Sequence, residues 1–196
     1  LATTKSFGNE APQHHILVLG DSLSAAYGIP RQDGWVALLS EELNGSNIKV
    51  TNASISGETT DGGLRALPQL LDQLNPSLVL IELGANDGLR GFPIATIKQN
   101  LDKMIALSRQ SQADVMLIGI HIPTNYGKRY TQAFHAVYHQ LADQHNLALV
   151  PFLLDGIALK PELMQDDGLH PKSTGQPLML DNVMQILSPY LSKRGL

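Results

Sequence analysis

The stretch HILVLGDSLS, residues 15–24, decides the fold class, because its first six residues form a continuous apolar run that stops at a glycine. Continuous runs of Val, Ile and Leu are typical of strands buried on both faces, as in a parallel sheet. Four similar runs follow along the chain, and they are Ile48–Ala53, Leu78–Leu83, Val115–Ile120 and Leu147–Phe152. Most of these runs are continuous, so the sequence predicts five parallel strands, most of them buried on both faces.

The segments between these runs have the spacing of amphipathic helices. Apolar residues recur at helical intervals in residues 64–74, 97–105, 134–142 and 183–190. Pro68 is predicted to kink the first of these helices or to mark its true start. Thr96 and Gln99 resemble a capping box for the second helix. Strands that alternate with helices predict an α/β fold, in which helices cover both faces of a five-stranded parallel sheet.

The composition indicates a folded protein and excludes several classes of function. The chain has 196 residues, of which 43% are hydrophobic and 16% are charged, and its net charge is -4. This charge gives no electrostatic basis for binding nucleic acid or an anionic membrane surface. The chain contains no cysteine, which excludes disulfides and thiolate metal sites, and no apolar run is long enough to span a bilayer.

The sequence predicts one domain with a short N-terminal extension. We assign residues 15–196 to the domain and expect residues 1–14 to form a flexible arm, since this polar stretch lacks periodicity. The chain begins with leucine rather than methionine, as expected if a signal peptide was removed or the chain was trimmed.

Ser22 is the first candidate for a chemical role. It follows the first strand in Gly20-Asp21-Ser22, and the carboxyl ends of parallel strands are where ligands bind. The signature Gly-x-Ser-x-Gly is typical of a serine on a sharp turn between a strand and a helix. It is incomplete in this chain because Ser24 replaces its second glycine. Taken alone, Ser22 could equally be the N-cap of a helix. Gly57 and Asn86 follow the second and third strands, so the topology predicts that all three residues meet at one edge of the sheet.

A pair of residues near the C-terminus supplies the base that a serine nucleophile needs. Asp167 and His170 are three residues apart, and a short turn at this spacing can place the carboxylate against an imidazole nitrogen. The other ring nitrogen can then accept the Ser22 proton. The backbone N–H groups of Ser22 and Gly57 and the side-chain amide of Asn86 are candidate donors to an oxyanion. We therefore predict a catalytic triad of Ser22, Asp167 and His170.

Several other polar or aromatic residues have a simpler structural interpretation. Asp21 is expected to bond to the local backbone, and Asp166 competes for the role of the acid but is one residue farther from the histidine. His135 and His139 have the spacing of a zinc pair, but the sequence offers no third ligand, so an exposed helix face is predicted. Trp35 is expected to pack the first helix onto the sheet. No metal is expected.

Four motifs resemble the main blocks of the SGNH, or GDSL, hydrolases. They are GDSLS at 20–24, the glycine of NASISGET at 52–59, GANDG at 84–88 and DDGLHP at 166–171. Longer stretches at 80–92, 123–130 and 159–171 are similar to the bacterial thioesterase I/protease I/lysophospholipase L1 group and its arylesterase relatives. The resemblance covers the chain from Ile16 to Leu191.

The resemblance implies a fold, a reaction and a set of site residues. The fold is a flavodoxin-like α/β/α sandwich of three layers, and no cofactor is implied. Ser22 is implied to be the nucleophile, Asp167 and His170 its acid and base, and Ser22, Gly57 and Asn86 the oxyanion hole. The implied reaction is hydrolysis of acyl esters, thioesters or lysophospholipids through an acyl-enzyme, in the periplasm or outside the cell.

Two alternatives remain beside this expectation. A carbohydrate O-acetylesterase, as in other branches of the same superfamily, would keep the chemistry and change the substrate. A non-catalytic lipid- or glycan-binding module would keep only the fold. We expect a monomer that acts on small-molecule acyl esters or thioesters and that has no stable membrane insertion.

Two loops are implied to contact the acyl chain. Residues 88–92, GLRGF, match a loop that closes on the acyl chain, and Pro93 is expected to stiffen its exit. Residues 121–127, HIPTNYG, match a wall of the substrate site in which relatives usually have arginine where this chain has His121. The substrate-binding residues predicted from these loops are Leu89, Phe92, His121, Ile122, Pro123 and Tyr126.

Overall fold

The computed structural model describes residues 14–196. Residues 1–13, which make up nearly all of the arm predicted for 1–14, lie outside the described residues. His14, the last residue assigned to that arm, is the first residue of a strand.

Five strands form one parallel sheet. They are β1 (His14–Gly20), β2 (Ile48–Asn52), β3 (Leu78–Glu82), β4 (Asp114–Ile118) and β5 (Ala148–Val150), and their order in the sheet is β2-β1-β3-β4-β5. Every neighbouring pair is parallel. The predicted strands are confirmed to within two residues at each end, and the strand order is the flavodoxin-like one.

Helices cover both faces of this sheet. They are α1 (Trp35–Glu42), α2 (Thr60–Leu74), α3 (Ala85–Leu89), α4 (Ile94–Gln110), α5 (Lys128–His145) and α6 (Gln176–Ser192). Leu17 and Leu19 of β1 pack towards α2, α4 and α5, whereas Ile16 and Val18 pack towards α1 and α6. This alternation follows from the period of two along a strand and produces three layers. Trp35 is fully buried in the core of the α1 and α6 face, as predicted.

Two helices begin at residues that the sequence signals did not indicate. Helix α2 begins at Thr60 and continues through Pro68, and Thr59 Oγ1 caps it by accepting the N–H of Gly62. Helix α4 begins at Ile94, directly after Pro93, so the capping box predicted further along is wrong. The proline ring holds φ near the helical value, which favours a helix start at this point.

The strand order reverses between β1 and β3, and this reversal positions the site. Ligands in sheets of this kind bind beyond the carboxyl ends of the strands where the order reverses. Gly20 and Glu82, the last residues of the two strands, are partners in the sheet register. The loops that carry Ser22 and Asn86 therefore begin side by side. Within residues 14–196, no helix is long and apolar enough to cross a membrane.

Candidate active site

Three residues predicted from the sequence meet beyond β1. Ser22 Oγ lies 2.8 Å from Nε2 of His170, and Nδ1 of His170 lies 2.6 Å from Oδ2 of Asp167. Because an ionised carboxylate can only accept a hydrogen bond, the ring carries its proton on Nδ1. Nε2 then accepts the hydrogen bond of the Ser22 hydroxyl. This arrangement can remove the proton of the serine as its oxygen attacks a carbonyl carbon.

Local contacts build the acid and base into one unit. Asp167 Oδ1 accepts the backbone N–H groups of Leu169 at 2.9 Å and His170 at 3.0 Å. Burial raises the pKa of Asp167, but the hydrogen bonds from the His170 ring and from the two N–H groups outweigh it and lower the pKa to about 2. The amide of Gln165 donates to the carbonyl of Tyr27 at 2.8 Å and attaches this turn to the Ser22 loop.

The turn that carries Ser22 is held by Asp21. Asp21 is fully buried, and its Oδ1 accepts the backbone N–H of Leu23 at 3.0 Å, across the serine. This contact confirms the local backbone role predicted for Asp21. Its Oδ2 lies 3.3 Å from the amide Nδ2 of Asn86. Asp21 therefore connects the loop after β1 with the loop after β3.

Gly57 and Asn86, the other predicted oxyanion donors, line the same cavity as Ser22. Gly57 has a φ of 82°, and among the described residues nothing lies within 4 Å of a Cβ added there. The backbone conformation, rather than a lack of space, therefore favours glycine. Asn86 Nδ2 donates to the carbonyl of Glu58 at 2.9 Å and to Asp21 at 3.3 Å. The amide can serve an oxyanion by exchanging the longer and weaker bond, that to Asp21.

A cavity of about 250 Å³ opens beside Ser22. Four of the residues predicted to bind substrate line it, and they are Leu89, His121, Ile122 and Pro123. The other lining residues include Leu23, Tyr27, Ile120, Leu154 and Leu169. A largely apolar wall with a few convergent polar groups suits an acyl chain whose carbonyl lies at the serine.

Two residues predicted to bind substrate, Phe92 and Tyr126, do not line this cavity. Both side chains are exposed, and the hydroxyl of Tyr130 donates to the backbone carbonyl of Phe92 at 2.6 Å. Tyr27 and Leu169 are among the lining residues that sequence reasoning missed, although each is close in sequence to a catalytic candidate. The ring of Tyr27 lies 4.5 Å from that of His170, centroid to centroid.

His121 makes contacts that the sequence did not predict. Its Nε2 lies 3.3 Å from Nε2 of His135, and its ring stacks on Phe152 with centroids 4.0 Å apart.

His135 and His139, the pair predicted to lie on an exposed helix face, pack against each other. Only His139 is exposed, so the prediction is correct for one of the two residues. Within residues 14–196, no group of three or more His, Asp or Glu side chains is placed to hold a metal ion.

The environment of His135 predicts a loss of stability in acid. Burial, reinforced by the neighbouring imidazoles, lowers the pKa of His135 to about 4. In an unfolded chain the imidazole binds its proton below about pH 6.5. The unfolded state therefore binds more protons between these two values, and stability falls as the pH falls through this window.

We expect the urea midpoint of the His135→Gln variant to fall less steeply than that of the wild type between pH 7 and pH 4. Measurement of both midpoints at several pH values checks this expectation. Equal slopes for the two proteins would contradict it.

The chain is similar to known esterases over nearly its whole length. Residues 18–178 match the model of the GDSL-like lipase/acylhydrolase family. The chain is 52% identical over 178 residues to an arylesterase of Vibrio mimicus, covering 90% of this chain and 89% of that protein. It is 44% identical over 177 residues to thioesterase 1/protease 1/lysophospholipase L1 of Escherichia coli K12, covering 90% of this chain and 85% of that protein.

A solved structure supports the same similarity. The psychrotrophic esterase EstA from Pseudoalteromonas sp., inhibited by monoethylphosphonate, has a TM-score of 0.87 and 45% sequence identity. The match covers 91% of this chain and 99% of that chain.

Proposed function

Because the chain belongs to the GDSL-like lipase/acylhydrolase family and is a carboxylic ester hydrolase, we propose that Ser22 is its nucleophile and His170 its general base. The observation that carries this proposal is the 2.8 Å distance between Ser22 Oγ and His170 Nε2. The hydrogen bond from His170 to Asp167 supports it, because it leaves Nε2 unprotonated and directed at the serine.

The proposed reaction proceeds through an acyl-enzyme. Ser22 Oγ attacks the acyl carbonyl carbon while its proton moves to His170 Nε2. The N–H groups of Ser22 and Gly57 and the amide of Asn86 donate to the oxyanion. His170 then protonates the leaving alkoxide or thiolate. Water repeats the sequence on the acyl-enzyme, which releases the carboxylic acid and restores the serine hydroxyl.

The substrates of this enzyme are small-molecule esters, and within that class we propose acyl chains longer than acetate, with thioesters and lysophospholipids included. The apolar side chains of Leu89, Ile122 and Leu154 along the cavity support this choice. An acetyl group is too short to cover them, so a carbohydrate O-acetylesterase would leave most of this wall unused. The E. coli relative, which carries thioesterase and lysophospholipase in its name, supports the inclusion of those two substrates.

A series of p-nitrophenyl esters of increasing acyl length tests the substrate. Each additional buried CH₂ contributes about 0.8 kcal/mol, so we expect kcat/KM to rise about fourfold per methylene until the cavity is filled. Turnover of p-nitrophenyl acetate and of no longer ester would favour the O-acetylesterase. Absence of turnover with every ester, together with no labelling of Ser22 by a fluorophosphonate, would favour the non-catalytic module. Matched thioesters and a lysophospholipid then rank the three classes of substrate.

Ester hydrolysis should decrease in acid because protonation of His170 removes the lone pair that accepts the serine proton. Asp167, with its pKa near 2, stays ionised over the same range and does not contribute to the decrease. The measurement is kcat/KM between pH 8 and pH 4. A kcat/KM that does not change over this range would argue against His170 as the base.

We further propose that the enzyme is a monomer and that it is located in the periplasm or outside the cell, the location that the family resemblance implies. Light scattering of the purified protein tests the first statement. Fractionation of cells that express the full-length gene tests the second.

A further inference from the structure

Glu82 is a fully buried carboxylic acid at the end of β3, in the middle of the sheet. It is the register partner of Gly20, which directly precedes the turn that carries Ser22. The reaction proposed above does not use it. A buried acid is unfavourable unless its polar atoms are hydrogen-bonded, so its contacts are informative.

One oxygen of Glu82 contacts a residue on each side of Ser22, Asp21 before it and Ser24 after it. Oε2 accepts the hydroxyl hydrogen of Ser24 at 2.7 Å and lies 3.3 Å from the backbone nitrogen of Asp21. Asp21 and Ser24 are themselves buried, so water does not compete for these bonds. The side chain of Glu82 therefore holds the chain both before and after Ser22.

The space around this carboxyl group is filled. A Cβ added at Gly20 would lie 2.7 Å from Oε2 of Glu82 and 2.8 Å from Oγ of Ser24. Gly20 is not among the residues with positive φ, so its lack of a side chain is required for room and not for backbone conformation. The first glycine of the Gly-Asp-Ser-Leu motif thus makes space for the acid of the neighbouring strand.

The surroundings of Glu82 favour its uncharged form. Burial raises the pKa of Glu82 well above its usual range, and the carboxyl group of Asp21 acts in the same direction. The other titratable groups near this pair are Asp87 on α3 and Tyr138 on α5, which are also acids. Its second oxygen, Oε1, has no hydrogen-bond partner among the described residues.

We infer that Glu82 is a positioning residue that holds Asp21 and Ser24 so that the Ser22 hydroxyl stays within reach of His170. Through Asp21 it also sets the position of the Asn86 amide. The inference rests on the proposed function, because it presupposes that Ser22 is the nucleophile. Glu82 does not line the substrate cavity, so its loss should lower kcat and leave KM unchanged.

The test compares Glu82→Ala with Glu82→Gln, using kcat and KM for a p-nitrophenyl ester. A misplacement of about 1 Å at a reacting group costs about 100-fold in rate, so we expect Glu82→Ala to lower kcat about 10- to 100-fold with KM within about twofold. Glutamine is uncharged and its carbonyl can accept the same two bonds, so Glu82→Gln should keep kcat within about threefold. An unchanged kcat in Glu82→Ala, or an equal loss in Glu82→Gln, would overturn the inference.

Two further variants separate positioning from a general loss of structure. Tyr138→Phe removes another buried polar group beside Glu82, one that donates to the carbonyl of Leu83 at 2.9 Å without contacting the serine turn. Its kcat should stay within about threefold of the wild type. If Glu82→Ala does not fold, Ser24→Ala takes its place, because it deletes one of the two contacts and leaves little cavity. The inference then requires a loss of kcat of about threefold or more, and an unchanged kcat refutes it.

Labelling by a fluorophosphonate distinguishes a failure of this inference from a failure of the proposed function. If the wild type is labelled and Ser22→Ala is not, the nucleophile is correctly assigned. Unchanged kinetics in the Glu82 variants would then refute only the positioning role.

Discussion

Ester turnover should decrease by about 10⁴-fold or more when Ser22 is replaced by alanine, while the protein stays folded. The substitution removes Ser22 Oγ, which lies 2.8 Å from Nε2 of His170 and attacks the carbonyl carbon in the proposed reaction. No acyl-enzyme can then form, and only binding and oxyanion stabilisation remain. The measurements are kcat for a p-nitrophenyl ester and covalent labelling by a fluorophosphonate, both of which should be lost.

Ser40→Ala is a suitable control for this variant. Ser40 is exposed on α1 and does not line the cavity beside Ser22, so its replacement should change kcat by less than about twofold. Both variants should unfold at the wild-type temperature within a few degrees. Retention of turnover in Ser22→Ala would refute the proposed mechanism at its first step.

Replacement of Asp167 by asparagine should lower kcat by about 10²- to 10⁴-fold. The carboxylate accepts the Nδ1–H of His170 through one oxygen and two backbone N–H groups through the other. If the asparagine oxygen keeps the two backbone bonds, its NH₂ group faces Nδ1. The ring must then place its proton on Nε2, which can no longer accept the hydrogen of the Ser22 hydroxyl. Steady-state kinetics at pH 7–8 measure the loss.

The neighbouring acid provides a matched control. Asp166 is one residue away, carries the same charge and is exposed, but Asp167 is the residue that contacts the histidine. We expect Asp166→Asn to retain kcat within about twofold. A comparable loss in both variants would indicate an effect of net charge near the site and would argue against a specific role for Asp167.

The sheet could be predicted because its inner strands β1, β3 and β4 are buried along most of their length and therefore appear as continuous apolar runs. The predicted start of one helix, α4, was wrong for a local reason. At Pro93 the proline ring begins α4, while a favourable polar pair a few residues later remains inside the helix. Such a pair is a weaker signal than a fixed backbone angle.

The candidate site could be predicted because parallel strands bring their carboxyl ends to one edge. Ser22 and Asn86 follow β1 and β3, whose last residues are partners in the sheet, so their proximity depends only on strand order. Asp167 and His170 are joined by a three-residue turn, and their contact is local. Phe92 and Tyr126 differ, because the direction of an exposed loop side chain is set by packing that periodicity does not record.

The two features that the sequence did not reveal depend on long-range packing. Glu82 lies in an apolar run, and nothing in that run indicates that Ser24, 58 residues away along the chain, would bond to it. His121 and His135 lie on a loop and a helix, and their rings meet only after α5 packs on the sheet. Contacts of this kind form only in the folded chain, so a local sequence pattern does not predict them.

The hydrogen bond between Ser22 and His170 joins residues that are 148 positions apart. During synthesis the Ser22 segment leaves the ribosome well before the Asp167–His170 turn, so on the proposed mechanism a growing chain that ends before this turn should be inert toward esters. The reactivity should therefore arise only once this turn has been made and has packed against the Ser22 loop. In a refolding experiment, the first appearance of fluorophosphonate labelling would mark that packing and give the time of chain closure directly.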